Sequence, residues 1–461
     1  MLFQQFKVNG LGCYSYMLGC PAAGTACVVD PERHVDRYLQ AAQQSGVRIT
    51  HIFDTHLHAD HITGSNELAA RTGATIYVHP GVEAEYPHQN LHEGDRFRFG
   101  AAEMEVIETF GHTPNSVSFA IKDHSRSSED IFALLTGDLL FVGDVGRPDL
   151  AGADLLEAQV KNLYDSLYVK LARFPDWVEV YPAHGEGSLC GRGMSSKPVT
   201  TLGFERRNNP LLNKMPYEKF HKIMTTGFQV RPDNFAVMVD KNRHGPAPLA
   251  EAAPFNLLNV RQVEDALTRG ARIVDTRVPS AFGAAHIHGS VNIGLTPLSV
   301  NWLGMVMPAD TDLIIVADTP ARAEEAAYIY RRAGYDRLIG YLDDGISSWA
   351  AQAKPLDHLP QLTPDSLKYV FDKYPDHLVV DVRSKDEWDS GHIENAIHIP
   401  IGKIITGDFE LAKDRHITIV CGSGYRSNIA GSILKSSGYP KIFSLIGGMI
   451  AWQASQKTDE S

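Results

Sequence analysis

The sequence predicts a multidomain α/β protein, one larger N-terminal domain followed by two copies of a smaller one. Three observations predict it. The 461 residues correspond to about three domains at roughly 150 residues each. Residues 1–235 alternate short apolar runs with Gly, Asp and His turns and helical stretches, the pattern of a layered α/β fold. Beyond a Pro-, Gly- and Ala-rich segment at 242–254, which reads as a linker, the chain repeats itself.

Composition narrows the function. Hydrophobic residues at 43% and charged residues at 21% are those of a folded globular chain. Lys+Arg 43 against Asp+Glu 55 leaves a formal charge of -12, which argues against a nucleic-acid partner. No run approaches the roughly 20 apolar residues of a membrane span, and MLFQQFKVNGLG lacks the basic and apolar regions of a secretory leader. The expectation is a cytoplasmic protein with no membrane partner. Five cysteines are too few and too odd for a disulfide framework. Cys13, Cys20 and Cys27 match no metal spacing and read as small, partly buried hydrophobes.

In the N-terminal domain the runs ITHIFDT (49–55), FALLTGD (132–138) and VEVYPAHG (178–185) each end in a polar cluster. The densest follows Thr55, where His56, His58, Asp60 and His61 place four potential metal ligands within six residues on a strand-to-helix turn. Imidazole nitrogens and carboxylate oxygens suit zinc, iron or manganese. Three further strand ends supply His112 in FGHTPNS, Asp138 in LLTGDLL and His184 in YPAHGEG. A lone histidine after a strand is commonly structural. Together these seven residues point to a metal centre.

The C-terminal half is an internal repeat. Residues 272–293 parallel 378–399: Asp275 matches Asp381, Arg277 matches Arg383 and His286 matches His392, each pair 106 residues apart. Residues 312–349 parallel 416–452, with Arg322 on Arg426 and Trp349 on Trp452. Strand and helix alternate in each copy, which favours a small parallel sheet flanked by helices. The domains are expected at 1–240, 255–355 and 362–461, the last two joined near 353–364.

Within the second copy an apolar strand runs straight into Cys421. The loop Gly422, Ser423, Gly424, Tyr425 then closes at Arg426 as a helix begins. Loop N–H groups and a helix N-terminus favour a thiolate, so Cys421 is expected to be a nucleophile with Arg426 beside it. The same cradle suits a bound persulfide or sulfite-like anion. The first copy has Ala317 and Asp318 at the start of this loop and keeps Arg322. It lacks the sulfur, and its carboxylate repels anions. That copy is expected to be catalytically silent, serving as spacer, scaffold or interface, including the interface of a homo-oligomer.

The His-x-His-x-Asp-His run with its later His, Asp and His resembles the metallo-β-lactamase superfamily over roughly residues 1–235. That resemblance implies an αββα sandwich. The tracts GDLLFVGDVGRPDL (137–150) and AHGEGSLCG (183–191) resemble the persulfide dioxygenase branch and its rhodanese-fused relatives. The short loop from Cys421 to Arg426 resembles the rhodanese sulfurtransferases. So do Asp381-Val382-Arg383, Gly391-His392-Ile393 and the run from Gly448 to Trp452. This implies two α/β rhodanese domains with parallel sheets.

The resemblance further implies one Fe(II) per chain on His56, His112 and Asp138, with His58, Asp60, His61 and His184 as outer groups orienting the ligands. Two histidines and one carboxylate leave three coordination positions for substrate sulfur and O2. By the same resemblance Arg147 binds the anionic tail of the thiol carrier, and Cys190 lines the substrate entrance or takes up sulfur. The activity implied is oxidation of a low-molecular-weight thiol persulfide to sulfite. Cys421 then carries sulfane sulfur to or from sulfite and thiosulfate, in sulfide detoxification. The alternative is a glyoxalase II-like thioester hydrolase, in which two zinc ions use all seven positions and generate a hydroxide.

Overall fold

Two six-stranded sheets stacked face to face form the core of the N-terminal unit. The computed structural model describes residues 1–8, 11–227, 234–249, 252, 254–296 and 299–459. The chain divides into two compact units, Met1–Ala252 with Arg332–Gly334, and Ala253–Arg331 with Tyr335–Ser461.

In the first unit, β1 (Leu2–Lys7), β2 (Tyr14–Cys20), β3 (Thr25–Val29), β4 (Arg48–Phe53), β5 (Thr75–Val78) and β6 (Gln89–Asn90) lie side by side in chain order. Pairing is antiparallel as far as β3 and parallel from there to β6. Parallel neighbours need a crossover, which α1 (Asp36–Gln44) and α2 (Ser65–Thr72) supply. The second sheet holds β7 (Arg96–Phe99), β8 (Ala102–Glu108), β9 (Val117–Asp123), β10 (Ile131–Gly137), β11 (Glu179–Pro182) and β12 (Thr200–Thr201). Its one parallel pair is β10 with β11, and α3 (Leu156–Asp165) crosses between them.

The inner core joins both sheets: Tyr14, Leu18 and Phe53 meet Met104, Phe119 and Leu135. Phe53 and Phe119 lie edge to face, 5.4 Å between centroids, a favoured aromatic arrangement. Tyr38 and Leu68 of α1 and α2 cover the outer face of the first sheet. Leu163 of α3 and Phe220 cover that of the second. Phe220 belongs to α5 (Tyr217–Met224), which follows α4 (Leu202–Asn208). Helices on both outer faces make an αββα sandwich, as the sequence led us to expect. Strands β8, β10 and β11 run in one direction, so their C-terminal ends share an edge.

The linker reading at 242–254 needs correction at its start, where α6 (Asn234–His244) runs three residues into it. The reason is local: Asn242 is buried and hydrogen-bonded to the metal loop. Residues 250, 251 and 253 lie outside the described residues.

The second unit contains two wholly parallel sheets of the same strand order. The first copy arranges β13 (Asn256–Leu258), β14 (Arg272–Asp275), β16 (Val291–Asn292), β17 (Leu313–Val316) and β18 (Leu338–Leu342) as β13-β18-β17-β14-β16. Its β15 (His286–Ile287) pairs instead with β19 (Leu356–Asp357). The connecting helices are α7 (Val260–Thr268), α8 (Pro279–Ala284), α9 (Ser299–Val306), α10 (Pro320–Arg332) and α11 (Gly345–Ala351).

The second copy arranges β20 (Gln361–Leu362), β21 (Leu378–Asp381), β22 (Ile397–His398), β23 (Ile417–Val420) and β24 (Ile442–Leu445) as β20-β24-β23-β21-β22. Around it lie α12 (Pro364–Lys373), α13 (Lys385–Asp389), α14 (Ile401–Thr406), α15 (Tyr425–Ser436) and α16 (Gly448–Asp459). The matched Asp and Arg of each copy form a buried ion pair. Arg277 Nη2 donates to Asp275 at 2.6 Å and to the Ala285 carbonyl at 2.8 Å; Arg383 Nη2 donates to Asp381 and to the Gly391 carbonyl, each at 2.7 Å. This charge-assisted clamp holds each helix-to-strand loop onto its sheet.

Candidate active sites

The metal centre forms where the strand ends of the first unit converge. His56, His112 and Asp138 are buried, and each offers a ligand atom within 4.8 Å of the others. Asp138 Oδ2 lies 3.7 Å from His56 Nε2 and 3.4 Å from His112 Nε2. That oxygen has no hydrogen-bond partner among the described residues. A buried, unpartnered carboxylate oxygen is costly, and a cation held by the three atoms removes the cost. The donor set therefore fits a metal.

The surroundings fix which ring nitrogen faces it. His112 Nδ1 donates to the Arg147 carbonyl at 2.9 Å, leaving Nε2 for the metal. Thr55 Oγ1 donates its one proton to Asp30 Oδ2 at 2.9 Å, so it accepts from His56 Nδ1, also at 2.9 Å. His56 Nε2 is again the free lone pair. Burial, with charged neighbours, pushes the His56 imidazole well below its ordinary value, and burial lowers that of His112. Both are thereby kept as neutral ligands. Burial alone would raise the Asp138 carboxyl, but His184 and His56 hold it below the usual carboxylate range.

Three supporting residues escaped sequence reasoning. Asn242 Nδ2 donates to the carbonyls of His58 and His61, both at 2.8 Å, and its Oδ1 accepts from Thr63 N at 3.0 Å. Asn115 Oδ1 accepts from Leu57 N at 3.2 Å. Asp30 carries Thr55. Asn115 stands in the quoted FGHTPNS run, whereas nothing local marks Asn242, which lies 184 residues from His58.

The remaining expected residues fall into separate groups. His58 joins Asp30 and Asp54 rather than the triad, with Nε2 3.2 Å from Asp30 Oδ1. His184 sits between two carboxylates, Nδ1 2.6 Å from Asp138 Oδ1 and Nε2 2.8 Å from Asp60 Oδ2. Although burial disfavours its charge, Asp138 and Asp60 hold it protonated far above the ordinary histidine value. Asp60, His61 and His184 form a further buried group with Cys13, 3.7 Å from Asp60 Oδ2 and 3.8 Å from His61 Nδ1. Cys13 is buried, as its reading as a small hydrophobe expects, and a β-bridge to His184 also sets it beside this group. Cys190 lies with Asp138 and His184, and burial followed by the Asp138 and Asp60 carboxylates pushes its thiol well up.

Arg147 also needs correction. Its side chain is 1% exposed, with Nε and Nη2 on Asp149 at 3.0 and 2.6 Å and Nη1 on the Leu189 carbonyl at 3.2 Å. A guanidinium committed in this way is a strut, not an arm for an anionic substrate. The Gly-Arg-Pro-Asp run works by packing. A Cβ on Gly146 would stand 1.9 Å from the Asp138 carbonyl oxygen, so only glycine lets this loop approach and offer the Arg147 carbonyl to His112.

The sulfur loop lies in the second unit. Cys421 follows β23, fully buried, and Gly424 N donates to its Sγ at 3.1 Å beneath the N-terminus of α15. Met449 N and Ile450 N, at the start of α16, donate to the carbonyls of Cys421 and Gly422 at 2.8 and 3.1 Å. With those carbonyls held by α16, the Gly424 amide is aimed at the sulfur, and Ser427 Oγ stands 3.7 Å from it. Gly422 and Ser423 complete the turn.

Arg426 is paired with Glu387, and Tyr425 reaches into the preceding domain, where its hydroxyl donates to the Gly294 carbonyl at 2.8 Å. The Tyr425 side chain therefore spans the joint between the copies, and its expected part in the sulfur loop rests on its backbone. In the first copy Ala317 takes the place of the sulfur, and Arg322 pairs with Glu325 at 2.6 Å.

Comparisons with known proteins agree with both halves. Residues 8–184 match the metallo-beta-lactamase superfamily, and residues 259–352 and 363–455 each match the rhodanese-like domain. The chain is 31% identical to persulfide dioxygenase ETHE1 of Bos taurus, over 49% of this chain and 80% of that one. It is 32% identical to a hydroxyacylglutathione hydrolase of Rhodospirillum rubrum, over 52% and 84%. The crystal structure of a metallo-beta-lactamase from Staphylococcus aureus subsp. aureus COL aligns with TM-score 0.66 and 28% identity, over 74% of this chain and 98% of that chain. The chain therefore belongs to the metallo-beta-lactamase superfamily, as a homologue of the ETHE1 persulfide dioxygenases that carries two rhodanese-like domains after its metal-binding fold.

Proposed function

We propose that the chain is a persulfide dioxygenase and sulfurtransferase using one Fe(II), with domains at 1–240, 255–355 and 362–461. The observation that carries this reading is the three-donor set of His56, His112 and Asp138, whose second carboxylate oxygen is already taken by His184 Nδ1. Two neutral histidines and one carboxylate suit ferrous iron with positions left open. A bound ferrous ion supplies the activation of O2 that a redox-inert zinc lacks.

The chain's own residues bind and orient. A cleft of about 460 Å³ beside the metal loop is lined by Leu57, Ala59, Val82, Leu150, Phe235 and Arg243. Its lining also holds the carboxylates of Glu83 and Asp240 beside Arg243, so the apolar wall, rather than net charge, is what suits a small thiol carrier. The overall reaction balances: persulfide, O2 and water yield thiol, sulfite and two protons. At the second site the Cys421 thiolate takes the outer sulfur of a second thiol persulfide, breaking its S–S bond and releasing the carrier thiol, and the resulting Cys421 persulfide passes that sulfur to sulfite. That forms thiosulfate and restores the thiolate, with the cradle of Gly422, Ser423 and Gly424 and the charge of Arg426 beside it. The first copy, without a sulfur, is silent. We place the protein in the cytoplasm, in sulfide detoxification.

Oxygen uptake by ferrous-reconstituted protein, run with several small-molecule persulfides, tests the reading. Uptake matched by sulfite supports it. A second reading, a dizinc thioester hydrolase, draws on the match to the Rhodospirillum rubrum hydrolase. Two zinc ions per chain with thioester cleavage and no oxygen uptake would favour that reading.

A further inference from the structure

The first copy has no sulfur, yet its sheet edge is built onto the helix that carries the sulfur loop of the second. Strand β16 is an outer strand of its sheet, and outer strands leave backbone groups without partners. Here α15 supplies them. Asn292 N donates to Ser432 Oγ at 3.2 Å, and the Gly294 carbonyl accepts from the Tyr425 hydroxyl at 2.8 Å. Tyr425 and Ser432, seven residues apart, share one face of the helix. Val291 of β16 is 1% exposed, whereas its match Ile397, on the outer strand β22 of the second copy, is 40% exposed. Helix α10 of the first copy, aligned on Arg322 and Arg426, has Ala321 and Tyr328 at the places of Tyr425 and Ser432, and Tyr328 is 40% exposed. The face that meets β16 is thus a feature of the active copy's helix.

A second set of contacts ends on the sulfur loop itself. Gly424, at φ +96, aims its N–H at Cys421 Sγ while its carbonyl is held from behind. Ser427 Oγ and Asn428 Nδ2 donate to that carbonyl at 2.9 and 3.0 Å. Asn428 is fully buried, and its Oδ1 accepts from Gln361 Nε2 at 3.2 Å. Against Gln361 stands Gly283 of α8 in the first copy, whose carbonyl accepts from Leu359 N at 3.0 Å. A Cβ on Gly283 would lie 2.6 Å from the Leu359 carbonyl oxygen and 2.8 Å from Gln361 Nε2. The first copy therefore reaches Gly424 along two lines, one through Tyr425 and one through Gln361 and Asn428.

We infer that the silent copy is a positioning domain for the sulfur site: its β16 edge and α8 fix the first turns of α15 and so keep the Gly424 amide aimed at Cys421. The inference rests on Cys421 as the sulfur carrier. Because the contacts act on the sulfur and not on the molecule that delivers it, they govern the kcat of transfer rather than KM.

Two full-length variants test it. Tyr425→Phe removes one hydroxyl. Gly283→Ala changes only the first copy, inside a helix that alanine favours, where the new methyl presses on Leu359. Iodoacetamide labelling of Cys421, followed on its own peptide by mass spectrometry, should slow by about three- to tenfold in Tyr425→Phe, the worth of one hydrogen bond. Its pH profile should be displaced upward. Labelling should slow further in Gly283→Ala. In both variants the kcat of transfer from thiosulfate should fall by the same factor with KM unchanged, and oxygen uptake should stay at the wild-type level. Wild-type labelling and transfer in both variants overturn the inference, as does a rise in KM alone. Should Gly283→Ala not fold, Tyr425→Phe decides. Cys421→Ser checks the reading beneath: transfer that survives it removes the sulfur carrier itself, a result distinct from wild-type behaviour of the two variants.

Discussion

Arg426 grips Glu387 with both arms, Nη1 and Nη2 lying 2.8 and 2.6 Å from the two carboxylate oxygens. Glu387 also completes the capping box of α13 with Ser384. The arginine that closes the sulfur loop is therefore anchored from outside it. Hydrogen bonding from Arg426 holds the Glu387 carboxyl down to about 2, so the pair is ionised throughout the neutral range. Replacing Glu387 with Gln removes a negative charge beside the path of an anionic donor. We expect the KM for thiosulfate to fall several-fold with kcat little changed. A rise in KM would show that the carboxylate's hold on Arg426 matters more than its repulsion of the donor.

Burial holds the imidazoles of His286 and His377 down to about 4, against about 6.5 for a free histidine. Between those values the unfolded chain binds protons that the folded one refuses. Stability from these groups is therefore full above about pH 6.5 and declines as pH falls toward 4. Denaturant midpoints measured from pH 7 to 4.5 should fall, and the fall should flatten in a variant with Asn at both positions. An unchanged slope in that variant would contradict the assignment.

Thr55 relays between Asp30 and His56. Thr55→Val keeps the shape and strands a buried N–H and a buried carboxylate oxygen, at about 1–3 kcal/mol. Metal affinity, measured by chelator competition, should drop about 10–100-fold, the usual effect of losing an outer partner of a ligand. Unchanged affinity would mean that the His56 ring is fixed by other contacts.

Gly448 has φ +57, and a Cβ there would meet the Cys421 carbonyl oxygen at 2.3 Å. Gly448→Ala must displace the sulfur loop, and the left-handed conformation adds roughly 1–2 kcal/mol. Sulfur transfer should fall at least tenfold while oxygen uptake persists. Retention of transfer would show that the loop tolerates the shift.

Much of this was legible in the sequence, for identifiable reasons. The repeat could be read because Asp and Arg two residues apart, with matching glycines, specify the same clamp in each copy. The seven candidate ligands could be read because strand ends deliver their residues to one edge of a sandwich; the choice of His56, His112 and Asp138 among them came from the resemblance to persulfide dioxygenases. The place of Cys13 beside the histidines was not legible, since it arises from a bridge to a strand end some 170 residues away, at His184. Asn242 was hidden for the same reason, its partners being backbone atoms of a distant loop. Arg147 was conspicuous but misread: a charged residue in a turn suggests exposure, and only the packing against Asp149 shows it to be internal.

The most direct test measures both activities of one folded His112→Ala preparation after ferrous reconstitution. Oxygen consumption with a small-molecule persulfide should fall by at least two orders of magnitude, while thiosulfate-dependent sulfur transfer at Cys421 stays at the wild-type level. Oxygen consumption that survives the substitution, or loss of both activities together, would contradict a persulfide-oxidising iron on His56, His112 and Asp138 that works separately from Cys421.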